Sequence, residues 1–223
     1  MTTFDNYVNN ENKINPVMLD KLKEINNRYT KHKNAQTYAN DICLLFSLKQ
    51  KKQLNDKEIA FFAGFVEGEG SINVGAKKTK FAVLGLCIDP EFNITQSIFG
   101  VQHLYNALVY FKTGRLSYKS GSNATLVFRI DNRKTLKEIV IPFYKNYVVP
   151  FSSDKKIERF NLFSQLLDYF DLGYHLELTT MIEHILPLWD QMRLQQGQSN
   201  ETFASIQEAK DYIINHVKDK DKV

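Results

Sequence analysis

Cysteine is nearly absent: Cys43 and Cys87 are the two in 223 residues, and each sits inside an apolar run. That count excludes a disulfide-stapled scaffold and a cysteine-rich metal site, and both thiols read as buried and free. No apolar stretch approaches the ~18–20 residues that span a bilayer. The N-terminal MTTFDNYVNNENK contains acids and no apolar centre, so it does not read as a secretory signal. It is neither Arg-rich nor acid-poor, so it does not read as a transit peptide either. No internal repeat stands out beyond two strand-strand-helix units. With 43% hydrophobic residues, the chain can bury one good core and a smaller second unit.

Acids are scarce where bases are plentiful. Residues 1–56 carry a net charge of +3, residues 57–160 of +6, and residues 161–223 of −5. The basic excess in the middle suits an anionic partner such as nucleic acid.

Asn15-Pro16 opens a helical pattern through about Tyr29, and a second runs from Ala35 to Leu48. Residues 1–13 read as polar and poorly ordered, and KQKKQLND (49–56) as a charged linker. Asp56 is placed to cap a third helix. The period then changes from 3.6 to 2: Ile72, Val74 and Ala76 alternate with Ser71, Asn73, Gly75 and Lys77. A strand pattern follows over Phe81–Gln96, interrupted by Asp89-Pro90, which demands an edge or a bulge. Ile98–Phe111 is helical, Thr113–Lys119 and Ala124–Asp131 form a hairpin, and Asn132 caps a helix over 133–147. Beyond Pro150 the pattern is helical: one helix capped by Ser152 or Ser153, a second over about Leu176–Arg193 kinked at Pro187, and a third over about Ile206–Lys218. The fold class is α+β, with an αββαββα core over 57–150 and a four-stranded antiparallel sheet. An N-terminal helical extension (1–56) and a C-terminal helical region (151–223) flank it.

Alternation sorts the strands into two faces. Leu116, Tyr118, Leu126, Phe128 and Ile130 point to the core. The other face gathers Ser71, Asn73, Lys77, Asn93, Thr95, Arg115, Ser117, Lys119, Thr125 and Arg129. Arg and Lys pair with guanine, Asn with adenine, and hydroxyls with either. An ordinary solvated face mixes Asp and Glu with Lys, and here acids are rare. The aromatics that single-stranded RNA readers stack bases on are missing, which favours duplex DNA.

The stretch Ile59–Gly70, IAFFAGFVEGEG, fits poorly as a plain amphipathic helix. Gly64 and Gly68 lie one turn apart, and each costs up to about 1 kcal/mol relative to Ala in a helix interior. Such glycines suit a helix that another backbone approaches closely. Glu69 ends the helix, where an acid opposes the macrodipole. A surface glutamate beside a tight turn is the simpler reading of that residue. A carboxylate that holds a hard cation is the sharper one.

Phe62-Ala63-Gly64-Phe65-Val66-Glu67-Gly68-Glu69-Gly70 resembles the signature motif of the LAGLIDADG homing endonucleases, with Glu for Asp at both acids and Phe for the first Leu. Further blocks resemble members of that family encoded in group I introns: Asp89–Gln96, Lys112–Arg115, Ser120–Leu126, Ile141–Tyr144 and Trp189–Arg193. One motif per chain implies a homodimer whose motif helices pack through Phe61, Gly64, Phe65 and Gly68. The resemblance implies Glu69 as the metal ligand and Gln96 as the residue that orients active-site water, with magnesium as cofactor and manganese able to substitute. Glu67 takes the place of an acid that is mainly structural in the family. Many members have a lysine before the helix that follows the core. Here that segment reads Pro150-Phe151-Ser152-Ser153-Asp154-Lys155-Lys156, so the basic role falls to Lys155, Lys156, Arg115 or Lys119, or is absent. The implied activity is double-strand cleavage of a long, nearly palindromic DNA site in a large-subunit rRNA gene, leaving 3′ overhangs. The implied setting is an organelle or another intron-bearing compartment, with no membrane partner. An intron RNA maturase or a catalytically weak DNA-binding protein on the same scaffold is the alternative.

Overall fold

A computed structural model describes residues 7–193 and 202–220. The polar loop read at 195–200 and the last three residues lie outside that range. The described part divides into two units. One comprises residues up to 71 with 92–130 and 143–148; the other comprises 72–91, 131–142 and 149 onward.

The elements follow the expected order: α1 Pro16–His32, α2 Ala35–Leu45, α3 Asp56–Glu69, β1 Gly70–Lys78, β2 Leu86–Ser97, α4 Val101–Phe111, β3 Arg115–Tyr118 and β4 Thr125–Ile130. The strands form a four-stranded sheet in the order β1-β2-β4-β3. β2 pairs antiparallel with β4 from Phe92↔Ile130 to Ser97↔Thr125, and β3 pairs antiparallel with β4.

Pro90 stays inside β2. The register with β4 begins only at Phe92, so Pro90 stands where β2 is locally an edge and no ladder bond to β4 is lost. The expected start of this strand at Phe81 is corrected. Residues 81–85 form turns, and Gly85 at φ +75° ends them before β2 begins.

The first unit is built on aromatic rings. Phe62 from α3 lies 5.8 Å from Phe111 and 5.5 Å from Phe143, and Phe111 stacks on Phe128. Val101, Leu104, Tyr105 and Leu108 are all buried, as the stripe along α4 requires. The segment before α1 is also better held than its polarity suggests. Val8 bridges Ile14, and the buried Tyr7 donates its hydroxyl to the Phe46 carbonyl.

In the second unit the helix Asp154–Asp171 buries Phe160, Phe163, Leu166, Leu167 and Phe170. The run after Asn132 is helical but widens into π-type turns at Leu136–Val140 and Tyr144–Val148. Pro142, which lacks an N–H, lies between them. A third widened turn, Met181–Ile185, ends two residues before Pro187.

The cap of α3 is Asn55, not Asp56. The Asn55 side chain accepts from the Glu58 N–H at 3.0 Å, and Glu58 accepts from the Asn55 N–H at 2.9 Å. Both residue types cap well; Glu58, three positions after Asn55, closes the box and decides between them. Lys51 donates to Glu58 at 2.7 Å and, with the Asn55 N–H, holds that carboxyl below the ordinary glutamate range. The contribution of Glu58 is therefore complete above that range and is lost as pH falls through the lowered value. Asn55→Ala is expected to cost about 1 kcal/mol, read as a lower urea midpoint at unchanged slope.

Candidate active site and nucleic-acid interface

α3 has two faces of opposite character. Phe62, Ala63 and Val66 are buried, whereas Phe61, 62% exposed, shares the other face with Gly64, Phe65 and Gly68 at helical spacing. A Cβ added at Gly64 or Gly68 meets nothing within 4 Å. Packing inside this chain gives no reason for either glycine. Phe65 stacks on His103 of α4 at 4.6 Å, and Phe61 approaches the same ring at 5.7 Å. Burial, then nearby Lys51, pushes the His103 pKa down, so the imidazole stays neutral near pH 7.

Glu69 is the last residue of α3, and the next residue turns directly into β1. Gly70 allows that junction. A Cβ there would lie 2.5 Å from the Val66 carbonyl oxygen and 3.3 Å from the Tyr144 hydroxyl. The last turn of α3 carries no basic residue, and Glu69 is exposed. Among the described residues no side chain donates to its carboxylate. Nor do the described residues bring three or more His, Cys, Asp or Glu together as a metal-binding group. Among the described residues the Glu69 carboxylate is thus an uncommitted hard-oxygen donor, the ligand type that magnesium takes.

Gln96 lies near the end of β2, opposite Leu126. Its Oε1 accepts from the Ser97 N–H at 2.7 Å, and a Cβ at Gly100 would lie 2.6 Å from its Cγ. Gln96 therefore also locks the turn that leads into α4, a local duty that the sequence reading did not foresee.

The polar face of β2, β4 and β3 in the first unit is arranged in rows. Asn93, Arg129 and Arg115 face one another across the strands; Thr95, Val127 and Ser117 form the next row; Ser97 pairs with Thr125, whose carbonyl accepts from Lys119 N–H at 2.9 Å. None of these positions is acidic. Arg129 donates to Asn93 at 3.1 Å, which fixes its fork, and Asn93 is buried rather than open. Arg115 and Arg129 stand directly opposite each other, and guanidinium forks match phosphate geometry. Ser97 stands on the same face without having been singled out, and one further step of the β2 alternation would have reached it. Val127, in the middle row, is buried.

In the second unit, Asn73 accepts from Arg159 at 3.2 Å, and Arg159 also donates to the Ile72 and Met192 carbonyls at 2.9 and 2.7 Å. Asn73 is thus positioned by an arginine that the sequence reading did not single out. Lys77 lies 3.4 Å from Asp89, which also takes the Cys87 thiol at 2.8 Å. Cys87 is half-buried, a correction to the expected buried thiol. Burial and the hydrogen bond to Asp89 push its pKa up to about 11, so it stays protonated. Ser71, in the first unit, is exposed. Lys155 and Lys156 are exposed in the first turn of the helix Asp154–Asp171. Arg193 packs rather than projects, 2.7 Å from Asp190 and over the Trp189 ring. The glutamines that follow it lie outside the described residues.

Comparison with known proteins fits this geometry. A family model described as LAGLIDADG endonuclease matches residues 62–167. The chain is 48% identical over 200 residues to the DNA endonuclease I-CeuI of Chlamydomonas moewusii, covering 90% of this chain and 91% of that one. A structure of the group I intron-encoded homing endonuclease I-CeuI complexed with DNA superposes with a TM-score of 0.87 at 47% identity, covering 92% of this chain and 99% of that one. The archaeal intron-encoded homing endonuclease I-Vdi141I complexed with DNA shares the fold, with a TM-score of 0.63 at 24% identity over 73% of this chain and 98% of that one. With the motif helix, the sheet and nearly the whole length matched, the chain belongs to the LAGLIDADG endonuclease family.

Proposed function

We propose that this chain is a site-specific, magnesium-dependent endonuclease that cuts both strands of a long, nearly palindromic DNA site as a homodimer and leaves 3′ overhangs. The observation that carries this reading is Glu69, exposed and unengaged at the end of a helix whose glycine face is open. Two copies packed through Phe61, Gly64, Phe65 and Gly68 bring two Glu69 carboxylates to one axis. Each Glu69 would hold a divalent cation, magnesium or manganese in its place. Such a cation supplies charge stabilisation at a scissile phosphate and lowers the pKa of attacking water. Gln96 has its oxygen committed to Ser97 and its amide nitrogen left to orient water. Arg115, Arg129, Ser117, Lys119 and Thr125 meet phosphates and base edges, with Asn93 and Thr95 behind them. Ser71, Asn73 and Lys77 do the same along β1. Lys155 and Lys156 are the candidate basic periphery.

The relatives named above point to an intron-encoded protein, and the target proposed is an intronless large-subunit rRNA-gene duplex in an organelle. Among the described residues no helix is long and apolar enough to cross a membrane. Incubating the protein with that duplex and magnesium is expected to give double-strand cleavage with 3′ overhangs by end mapping, and none in EDTA. An intact duplex in magnesium and in manganese would sink the reading.

A further inference from the structure

The hairpin between β1 and β2 is held firmly at its base. Thr79 N–H donates to the Gly85 carbonyl at 2.9 Å, Gly85 N–H to Ala82 at 3.0 Å, and the Tyr212 hydroxyl to Gly85 at 3.3 Å. Lys78 folds back, its ammonium 4.7 Å from the Phe203 ring and 5.1 Å from Tyr212. Leu84 is buried.

The tip behaves oppositely. Phe81 is 88% exposed, more than any other large apolar residue described, and no described part of the chain covers its ring. Leaving a phenyl ring in water forgoes the free energy of its burial. Lys80 lies 5.6 Å from the ring centroid. An apolar wedge beside an ammonium group, on a rigid base, matches a base face beside a phosphate.

We propose that Phe81 is a wedge that enters a base step of the bound DNA duplex while Lys80 holds the adjacent phosphate. This rests on the endonuclease reading and adds a residue that distorts the duplex rather than reading its edges. A wedge of this kind makes recognition depend on how easily one step unstacks, so that flexible pyrimidine–purine steps are favoured at that position.

The test uses the full-length protein, Phe81→Ala, Phe81→Trp and Lys80→Ala. The probe is the intronless large-subunit rRNA-gene duplex carrying 2-aminopurine at successive positions, bound in EDTA. Wild type is expected to raise fluorescence at one step, which Phe81→Ala abolishes and Phe81→Trp restores. Phe81→Ala is expected to weaken binding about tenfold with its salt slope unchanged, whereas Lys80→Ala lowers the slope by about one. Unchanged fluorescence and affinity in Phe81→Ala would overturn the wedge alone, because cutting by wild type in parallel magnesium samples reports on the endonuclease reading. A wild-type protein that neither binds nor cuts the duplex would overturn both.

Discussion

Glu69→Gln is expected to remove double-strand cleavage while the protein still folds and still binds DNA. The substitution keeps shape and hydrogen-bonding capacity and removes one negative charge. In this chain that charge has no described partner, and no basic residue shares the last turn of α3. Its position at a helix C-terminus is unfavourable by about 0.3–1 kcal/mol. The variant should therefore melt at the same temperature as wild type or slightly above. Activity moves the other way. If Glu69 holds a divalent cation at the scissile phosphate, as proposed, its loss should cost at least about a thousandfold in rate, or about 4 kcal/mol of transition-state stabilisation. Single-turnover cleavage, gel-shift affinity and a thermal melt on the same preparation separate the three quantities. Equal cutting by both proteins would remove Glu69 from the mechanism. A large loss of stability would show that the carboxylate serves the fold instead.

Much of this arrangement was readable before any coordinates, and what was not readable has physical causes. The period change after Gly70 located β1, and the alternation through Phe92–Gln96 and Thr125–Ile130 placed the polar rows on one face. The same alternation failed at Phe81 and Val83. It records chemistry and not burial, and those residues are apolar yet exposed. The cap of α3 was displaced by one residue because Asn55 and Asp56 are both good caps; the reciprocal bond from Glu58 chose between them. The partner of Asn73 was out of reach for another reason. Arg159 is 86 positions away along the chain, and no local pattern marks an arginine that ties two strand residues to a helix end. The lock that Gln96 makes on the turn before α4 depends on the missing side chain of Gly100. Pairing, capping and long-range hydrogen bonds thus account for the corrections, whereas the sheet followed from alternation.

Gly68→Leu is expected to leave the single chain at least as stable as wild type and to break the dimer. Inside the chain, the new Cβ meets nothing within 4 Å, and replacing a glycine in a helix interior gains up to about 1 kcal/mol. If a second copy of α3 packs on this face, a leucine stands where two backbones must approach. Overpacking costs about 1–3 kcal/mol at one site, and a two-fold interface meets the change twice. A loss of about 2–6 kcal/mol corresponds to a dimer weakened by one and a half to four decades. Sedimentation equilibrium reads that loss, and urea unfolding at a concentration where wild type is also monomeric reads the stability of the chain itself. Unchanged dimer affinity would place the interface elsewhere. Gly70→Ala supplies the contrast. Its Cβ would fall 2.5 Å from the Val66 carbonyl oxygen, so it should lower the stability of the monomer. The neighbouring glycines therefore answer to different constraints. Gly70 is required by the chain's own turn from α3 into β1, whereas Gly68 has a reason to be glycine only if another molecule comes within reach of it.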